Sequence, residues 1–198
     1  MNIFSKFPRT FWVANTIELM ERWAWYGFFM LFANYLTGSS DLGGLEFSQS
    51  QKGIIMGVGT GILYFLPVLT GAIADRYGYR RVLFLAFIVY TSAFILFPMF
   101  SSFTGVFLIF LYLALGAALF KPIISATVAK TTTNETASIG FGIFYMMVNI
   151  GAFFGPLVTL LFKDSSSHLI FYVSAGMIAV NFILLLFYKE PLREEKQK

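Results

Sequence analysis

The chain has 198 residues, of which 58% are hydrophobic and only 12% are charged, and its formal net charge is +4. A soluble domain must cover its surface with polar and charged groups, so this composition excludes a soluble domain and indicates a membrane protein. The sequence contains no cysteine, which excludes disulfide bonds and thiolate chemistry.

Long apolar segments follow one another along the chain. A helix needs about 20 apolar residues to cross the roughly 30 Å of hydrocarbon in a bilayer. The segments are continuous rather than alternating, which favours helices over a membrane β-barrel. We therefore predict an all-α membrane protein with one bundle of six transmembrane helices over residues 1–188. The predicted helices have these approximate bounds: 11–36, 50–74, 82–101, 104–129, 137–162 and 168–188.

The lysines and arginines predict the orientation of this bundle. If both termini share one side, ten basic residues lie on that side and only Lys52 and Lys163 on the other. The positive-inside rule then places both termini in the cytoplasm, with the plasma (inner) membrane as the default location. Residues 189–198 are too charged to stay in the bilayer, and we predict a cytoplasmic tail or a linker to more protein.

Three ionisable residues interrupt the first apolar segment: Glu18, Glu21 and Arg22. Each charge at the centre of a bilayer costs roughly 2.5–3.5 kcal/mol, so such residues usually face a bundle interior. On a helix they share one stripe with Trp25 and Phe29. Two carboxylates beside one arginine should titrate as a coupled set, which suits a proton carrier. The alternative is a static ion-pair cluster that orients the helix.

Lys121 is a further charge within an apolar segment, in the fourth predicted helix. Counting about 1.5 Å per residue from the inner helix ends places Lys121, Glu18 and Arg22 at a similar depth, roughly 12–18 Å into the membrane. Protonation of one glutamate would then release a positive charge that could receive an anionic group. The alternative is that Lys121 extends to the interface. Pro122 should bend the helix beside it.

Glycines recur every four residues in two segments, at Gly53, Gly57 and Gly61 and again at Gly151 and Gly155. Small residues at this spacing let helix backbones approach closely. The pattern predicts helix packing along both faces.

Four motifs resemble known transporter signatures. The first motif is the loop after Gly71, with the sequence Asp75-Arg76-Tyr77-Gly78-Tyr79-Arg80-Arg81. Its simplest interpretation is a positive-inside turn, but its spacing resembles the signature of the major facilitator superfamily. Three others resemble the proton-dependent oligopeptide transporters. They are Glu18-xx-Glu21-Arg22-Trp23-x-Trp25-Tyr26, Gly116-xxxx-Lys121-Pro122-xx-Ser125 and Phe144-Tyr145-xxx-Asn149-x-Gly151.

The resemblance implies a fold and a set of roles. The fold would be the N-terminal six-helix half of a twelve-helix transporter, built from two inverted three-helix repeats. The implied proton-coupling residues are Glu18, Glu21 and Arg22. The implied substrate-binding residues are Lys121, Trp25, Tyr26 and Asn149. The implied cytoplasmic gate comprises Asp75, Arg76, Gly78, Arg80 and Arg81.

The sequence departs from the oligopeptide pattern at three positions. Phe29 stands where members commonly carry another arginine, Trp25 replaces the first tyrosine of a pair, and Ile123 replaces an asparagine. Proton coupling is therefore better supported than peptide selectivity.

These observations predict a proton-coupled secondary active transporter that imports di-/tripeptides or similar small solutes. It would use the proton gradient without a cofactor or metal. Its partners would be the substrate, the lipid bilayer and a C-terminal six-helix half; a homodimer of halves is the alternative, and nucleic acid is not expected. A major facilitator for a non-peptide solute, or a channel or membrane scaffold, remains a second candidate. We do not expect an enzyme, because the single histidine, His168, lies at a helix end.

Overall fold

The structure, a computed structural model, describes residues 3–161 and 168–191 and consists of six long helices with short connections. The helices are α1 (Arg9–Thr37), α2 (Gln49–Tyr77), α3 (Tyr79–Leu96), α4 (Phe103–Lys130), α5 (Ala137–Leu160) and α6 (Leu169–Phe187). The predicted all-α class with six helices is confirmed. The predicted end of helix 5 at 162, Lys163 and most of the predicted tail, 192–198, lie outside the described residues.

Five of these helices, α2 to α6, are long and apolar enough to cross a membrane. Helix α1 equals α2 in length, 29 residues, but Glu18, Glu21 and Arg22 interrupt its apolar sequence. The chain is therefore a multi-pass membrane protein in which one long helix carries buried charge.

The helix ends follow local sequence signals. The Ser48 side chain caps α2 by accepting from the Gln51 backbone, and the Gln51 side chain accepts from the Ser48 backbone. Gly78 joins α2 to α3 with φ of +94°, a conformation that favours glycine. The prediction for the third helix, 82–101, was wrong at its end: α3 stops at Leu96, and a short 3-10 turn around Pro98 follows.

The packing of the helices is uneven around the bundle. Helices α1 and α4 lie at the centre; α5 and α6 pack on α1, and α2 and α3 pack on α4. Helices α3 and α6 contact each other extensively, and we call this the closed side. Helices α2 and α5 make no extensive contact within the described residues, and we call the gap between them the open side.

Aromatic rings fill the core of the closed side. The ring of Phe28 on α1 lies against rings from α3, α6 and the turn after α3, with centroids 5.3–5.7 Å apart: Phe94, Phe97 and Phe171. Large rings in edge-to-face and tilted contacts contribute more to stability than the burial of their area alone would give. This part of the bundle is therefore tightly held.

The two glycine patterns have different outcomes. Gly151 and Gly155 pack closely against α1. A Cβ at Gly155 would lie only 2.5 Å from the Trp23 carbonyl oxygen, so no larger residue fits there without a shift. The packing predicted for them is confirmed. Among the described residues the packing predicted for Gly53, Gly57 and Gly61 was wrong, since a Cβ there would meet nothing within 4 Å. The spacing alone does not say whether a neighbouring helix is present.

Gly155→Ala should reduce the free energy of unfolding by about 1–3 kcal/mol, because the added methyl group would overlap the α1 backbone. Gly142→Ala is the matched control: it lies on the same helix, gains the same helix propensity and meets nothing within 4 Å. Thermal unfolding of both variants in detergent measures the difference. Equal stability of the two variants would contradict the close α1–α5 contact.

Candidate functional site: an intramembrane charge cluster

Four charged side chains from α1 and α4 meet inside the bundle, and we call them the charge cluster: Glu18, Glu21, Arg22 and Lys121. Both glutamates are fully buried, whereas 14% of the Arg22 side chain is exposed. The helical repeat places the three α1 residues on one face, because Glu21 and Arg22 follow Glu18 by three and four positions. Buried charges require partners, and the cluster contains two acids and two bases.

Glu21 is held by three donated hydrogen bonds. The Arg22 guanidinium binds both carboxylate oxygens, with Nε 2.5 Å from Oε2 and Nη2 2.7 Å from Oε1. The Tyr90 hydroxyl on α3 donates to Oε1 at 2.6 Å. Charge-assisted bonds of this kind are about twice as strong as neutral ones. Glu21 is therefore fixed between α1 and α3.

Tyr90 is a member of this site that the sequence did not indicate. Its side chain is fully buried and packs beside Gly116 of α4, where a Cβ would lie 3.1 Å from the Tyr90 backbone nitrogen. The only signal in the sequence is a hydroxyl-bearing ring in an apolar helix, which many membrane helices contain. Its role depends on the approach of α3 to α1.

Glu18 has a different environment from Glu21. Its Oε1 accepts from Nζ of Lys121 on α4 and lies 3.5 Å from Nε of Arg22. Its Oε2 is buried and has no hydrogen-bond partner among the described residues. A buried polar atom without a partner is unfavourable, so this oxygen is suited to receive a proton or a water molecule.

Lys121 connects the charge cluster to the open side. Its side chain is 37% exposed, the largest exposure in the cluster, and its Nζ lies 5.3 Å from the ring centroid of Phe144 on α5. A cation over an aromatic face is stabilised electrostatically. The amine can therefore reach solvent or a ligand while it remains bound to Glu18.

The predicted aromatic residues continue the α1 stripe by one turn. Trp25 is mostly buried and stacks on Phe29, with ring centroids 5.5 Å apart. The Arg22 guanidinium lies 5.7 Å from the centroid of Tyr26, which is partly exposed. Asn149 lies on an exposed face of α5 and donates to the Tyr145 carbonyl at 2.8 Å. No hydrogen bond joins Asn149 to the cluster in the part of the chain that the structure describes.

The loop motif lies apart from the cluster, where α2 joins α3. The Tyr79 hydroxyl donates to Asp75 at 3.1 Å and accepts from Lys130 at the end of α4 at 2.9 Å. The backbone N–H of Arg80 donates to Glu190 at 2.9 Å, and a Cβ at Gly78 would lie 2.8 Å from the same carboxylate. This network joins the ends of α2, α3, α4 and the segment after α6.

The remaining motif residues lie at the surface. Arg76, Arg80 and Arg81 are exposed, and the Arg76 guanidinium lies 5.5 Å from the ring centroid of Tyr77. The sequence indicated the motif, in which Tyr79 had no assigned role, but it did not indicate Lys130 and Glu190, which bind the motif. Over residues 3–161 and 168–191 no three acidic, histidine or cysteine side chains form a group that could hold a metal ion.

Comparison with known proteins agrees with this architecture. The sequence profile of the Major Facilitator Superfamily matches residues 14–198. The chain is 28% identical to the uncharacterized transporter YclF of Bacillus subtilis over 93% of this chain and 39% of that protein. It is also 28% identical to a di-/tripeptide transporter of Lactococcus lactis, over 94% of this chain and 38% of that protein.

Solved structures show the same similarity to membrane transporters. A crystal structure of a POT family transporter in complex with 5-aminolevulinic acid superposes with a TM-score of 0.83 at 25% identity, covering 95% of this chain and 41% of that one. The chain thus spans about two fifths of the length of the relatives it matches. The chain belongs to the Major Facilitator Superfamily, and the resemblance to its POT family of peptide transporters is confirmed.

Proposed function

We propose that this chain supplies one wall of a proton-coupled secondary transporter that imports di-/tripeptides or similar small solutes. Its six helices, including α1, would all span the plasma membrane as two inverted three-helix repeats, with both termini in the cytoplasm. The distribution of lysine and arginine supports this orientation. A C-terminal half is the proposed partner at the open side, which is supported by the greater length of the relatives.

The observation that carries this proposal is the ion pair between Glu18 and Lys121, which links α1 to α4 inside the bundle. When Glu18 is ionised it holds the lysine amine. A proton on Glu18 removes that attraction and leaves Lys121 as a cation in need of an anionic partner. The carboxylate of an entering solute provides that partner, so proton and solute are bound together.

Glu21 has a separate role in this mechanism. A proton on Glu21 would weaken two bonds from Arg22 and one from Tyr90. Glu18 would lose only its interactions at Oε1, and its Oε2 has no described partner. We therefore assign the transported proton to Glu18 and treat Glu21 as the residue that positions Arg22.

The substrate class follows from Lys121 and the aromatic residues near it. A di- or tripeptide ends in a carboxylate that Lys121 can bind, while Tyr26 and Asn149 are exposed enough to contact the rest of the solute. Trp25 would contribute through its stack on Phe29. The loop residues Asp75, Arg76, Gly78, Arg80 and Arg81 would form the cytoplasmic gate.

A small non-peptide carboxylate is the second candidate substrate. Phe29 stacks on Trp25 where an additional arginine would have supplied a second cation. One solved relative binds 5-aminolevulinic acid, an amino acid rather than a peptide. Both candidates require Lys121 and the proton on Glu18.

Glu18→Gln should abolish gradient-driven accumulation of a labelled dipeptide, because the variant cannot exchange the coupling proton. Uptake into proteoliposomes that contain the complete gene product, with an inward proton gradient, measures this. Counterflow without a gradient should persist and shows that the protein is folded. Glu46→Gln is the control, since this exposed loop carboxylate undergoes the same change. Accumulation by Glu18→Gln at the level of the control would contradict the assignment.

Lys121→Ala should remove the preference for a solute with a free carboxylate. The intact protein should transport a dipeptide with a KM roughly tenfold or more below that of its C-terminal amide, since a charged hydrogen bond contributes about 1.5–3 kcal/mol. The variant should handle both solutes equally poorly, and Lys121→Arg should retain part of the preference. An unchanged preference in Lys121→Ala would show that another group binds the carboxylate.

Tyr90→Phe should lower the free energy of unfolding by about 1.5–3 kcal/mol, because Glu21 loses a buried donor. Tyr64→Phe removes the same atom from a ring that is 76% exposed, and should change stability little. Thermal unfolding in detergent compares the two, and uptake assays should show that Tyr90→Phe still accumulates the solute. If the two variants are equally stable, Tyr90 does not fix Glu21.

A further inference from the structure

A groove of about 610 Å³ lies on the closed side, at the end of the bundle where α3 begins and α6 ends. Phe84 on α3 and Phe182, Ile183 and Leu186 on α6 give it apolar walls. Arg80 and Arg81, in the first turn of α3, complete its lining. It is separate from the charge cluster, which opens on the opposite side of the bundle.

The walls of the groove are preformed and exposed. The rings of Phe84 and Phe182 meet edge to face with centroids 5.5 Å apart and connect the two helices. Phe84, Ile183 and Leu186 nevertheless keep 51%, 59% and 68% of their surface exposed. Both helices are apolar enough to cross a membrane, so these exposed side chains would face hydrocarbon.

The two arginines supply a positive charge at the level of the lipid headgroups. The span of α3 begins at Tyr79, so Arg80 and Arg81 lie at its boundary with water. Glu190 accepts from the backbone N–H of Arg80, not from its guanidinium. Among residues 3–161 and 168–191 neither guanidinium takes part in an ion pair or hydrogen bond.

We propose that this groove binds an anionic glycerophospholipid. The phosphate is held by the guanidinium groups of Arg80 and Arg81, whose planar donors match phosphate oxygens. One acyl chain lies between Phe84 and Leu186, along the seam of α3 and α6. Basic pockets between membrane helices are suited to anionic headgroups, and a phosphate without acyl chains would leave the apolar walls uncovered. The site shares Arg80 and Arg81 with the cytoplasmic gate proposed above, so its test measures lipid retention and not transport.

Lipid retention measured by native mass spectrometry in detergent tests this site. The protein should retain phosphatidylglycerol roughly tenfold better than phosphatidylcholine with the same acyl chains. Arg80→Gln with Arg81→Gln should remove this preference. Lys6→Gln with Lys52→Gln removes the same charge elsewhere and should keep it. Equal retention of the two lipids by the unmodified protein, or loss of the preference in both double variants, would overturn the proposal.

A second variant tests the groove without changing the charge. Leu186→Trp places a large ring on an exposed position of the wall and should reduce phosphatidylglycerol retention while thermal unfolding stays the same. Glycerol phosphate at equal concentration should not displace the lipid, because it lacks the acyl chain. Retention unaffected by Leu186→Trp, or displacement by glycerol phosphate, would show that the arginines bind phosphate alone and that the groove holds no lipid.

Discussion

The pairing of charges inside an apolar bundle is the constraint on which the rest of this structure depends. Two carboxylates and two cations occupy a region where an isolated charge is unfavourable by several kcal/mol, and together they sum to zero. The bundle therefore tolerates the cluster only while its charge is balanced. A proton added alone would leave an excess cation, and an anion added alone would leave an excess negative charge. Joint binding of a proton and an anion would preserve the balance, which is the physical basis of the coupling proposed above.

The two glutamates show how one fold gives the same side chain two different environments. Three donors converge on Glu21, and two of them belong to the neighbouring arginine on the same helix. Glu18 faces across to α4, where its partner is a flexible and partly exposed lysine. The contrast arises from a separation of three residues on a helix, which turns one carboxylate toward α3 and the other toward α4. A carboxylate that is held rigidly and a carboxylate with a flexible partner therefore lie less than one helical turn apart.

Much of this arrangement could be predicted from the sequence. Apolar length indicated the helices, and counting rise per residue placed Lys121 level with Glu18 before any contact was known. Other features depend on tertiary packing. The glycine spacing at Gly53 and Gly151 is the same, yet within the part of the chain that the structure describes only Gly151 meets another helix. Tyr90 and Glu190 gave no signal, because an isolated tyrosine or a terminal glutamate becomes informative only when its acceptor or donor is located.

The close contact of α5 with α1 has a mechanical consequence. Gly151 and Gly155 bring the α5 backbone against α1, so a tilt of one helix must carry the other with it as a single rigid block. Helix α4 touches α5 only slightly. Lys121 on α4 forms an ion pair with Glu18 on α1, and its amine lies where that block meets α4. Protonation of Glu18 would remove this ion pair and leave the contact of α1 with α4 to apolar packing such as the stack of Phe32 on Phe110.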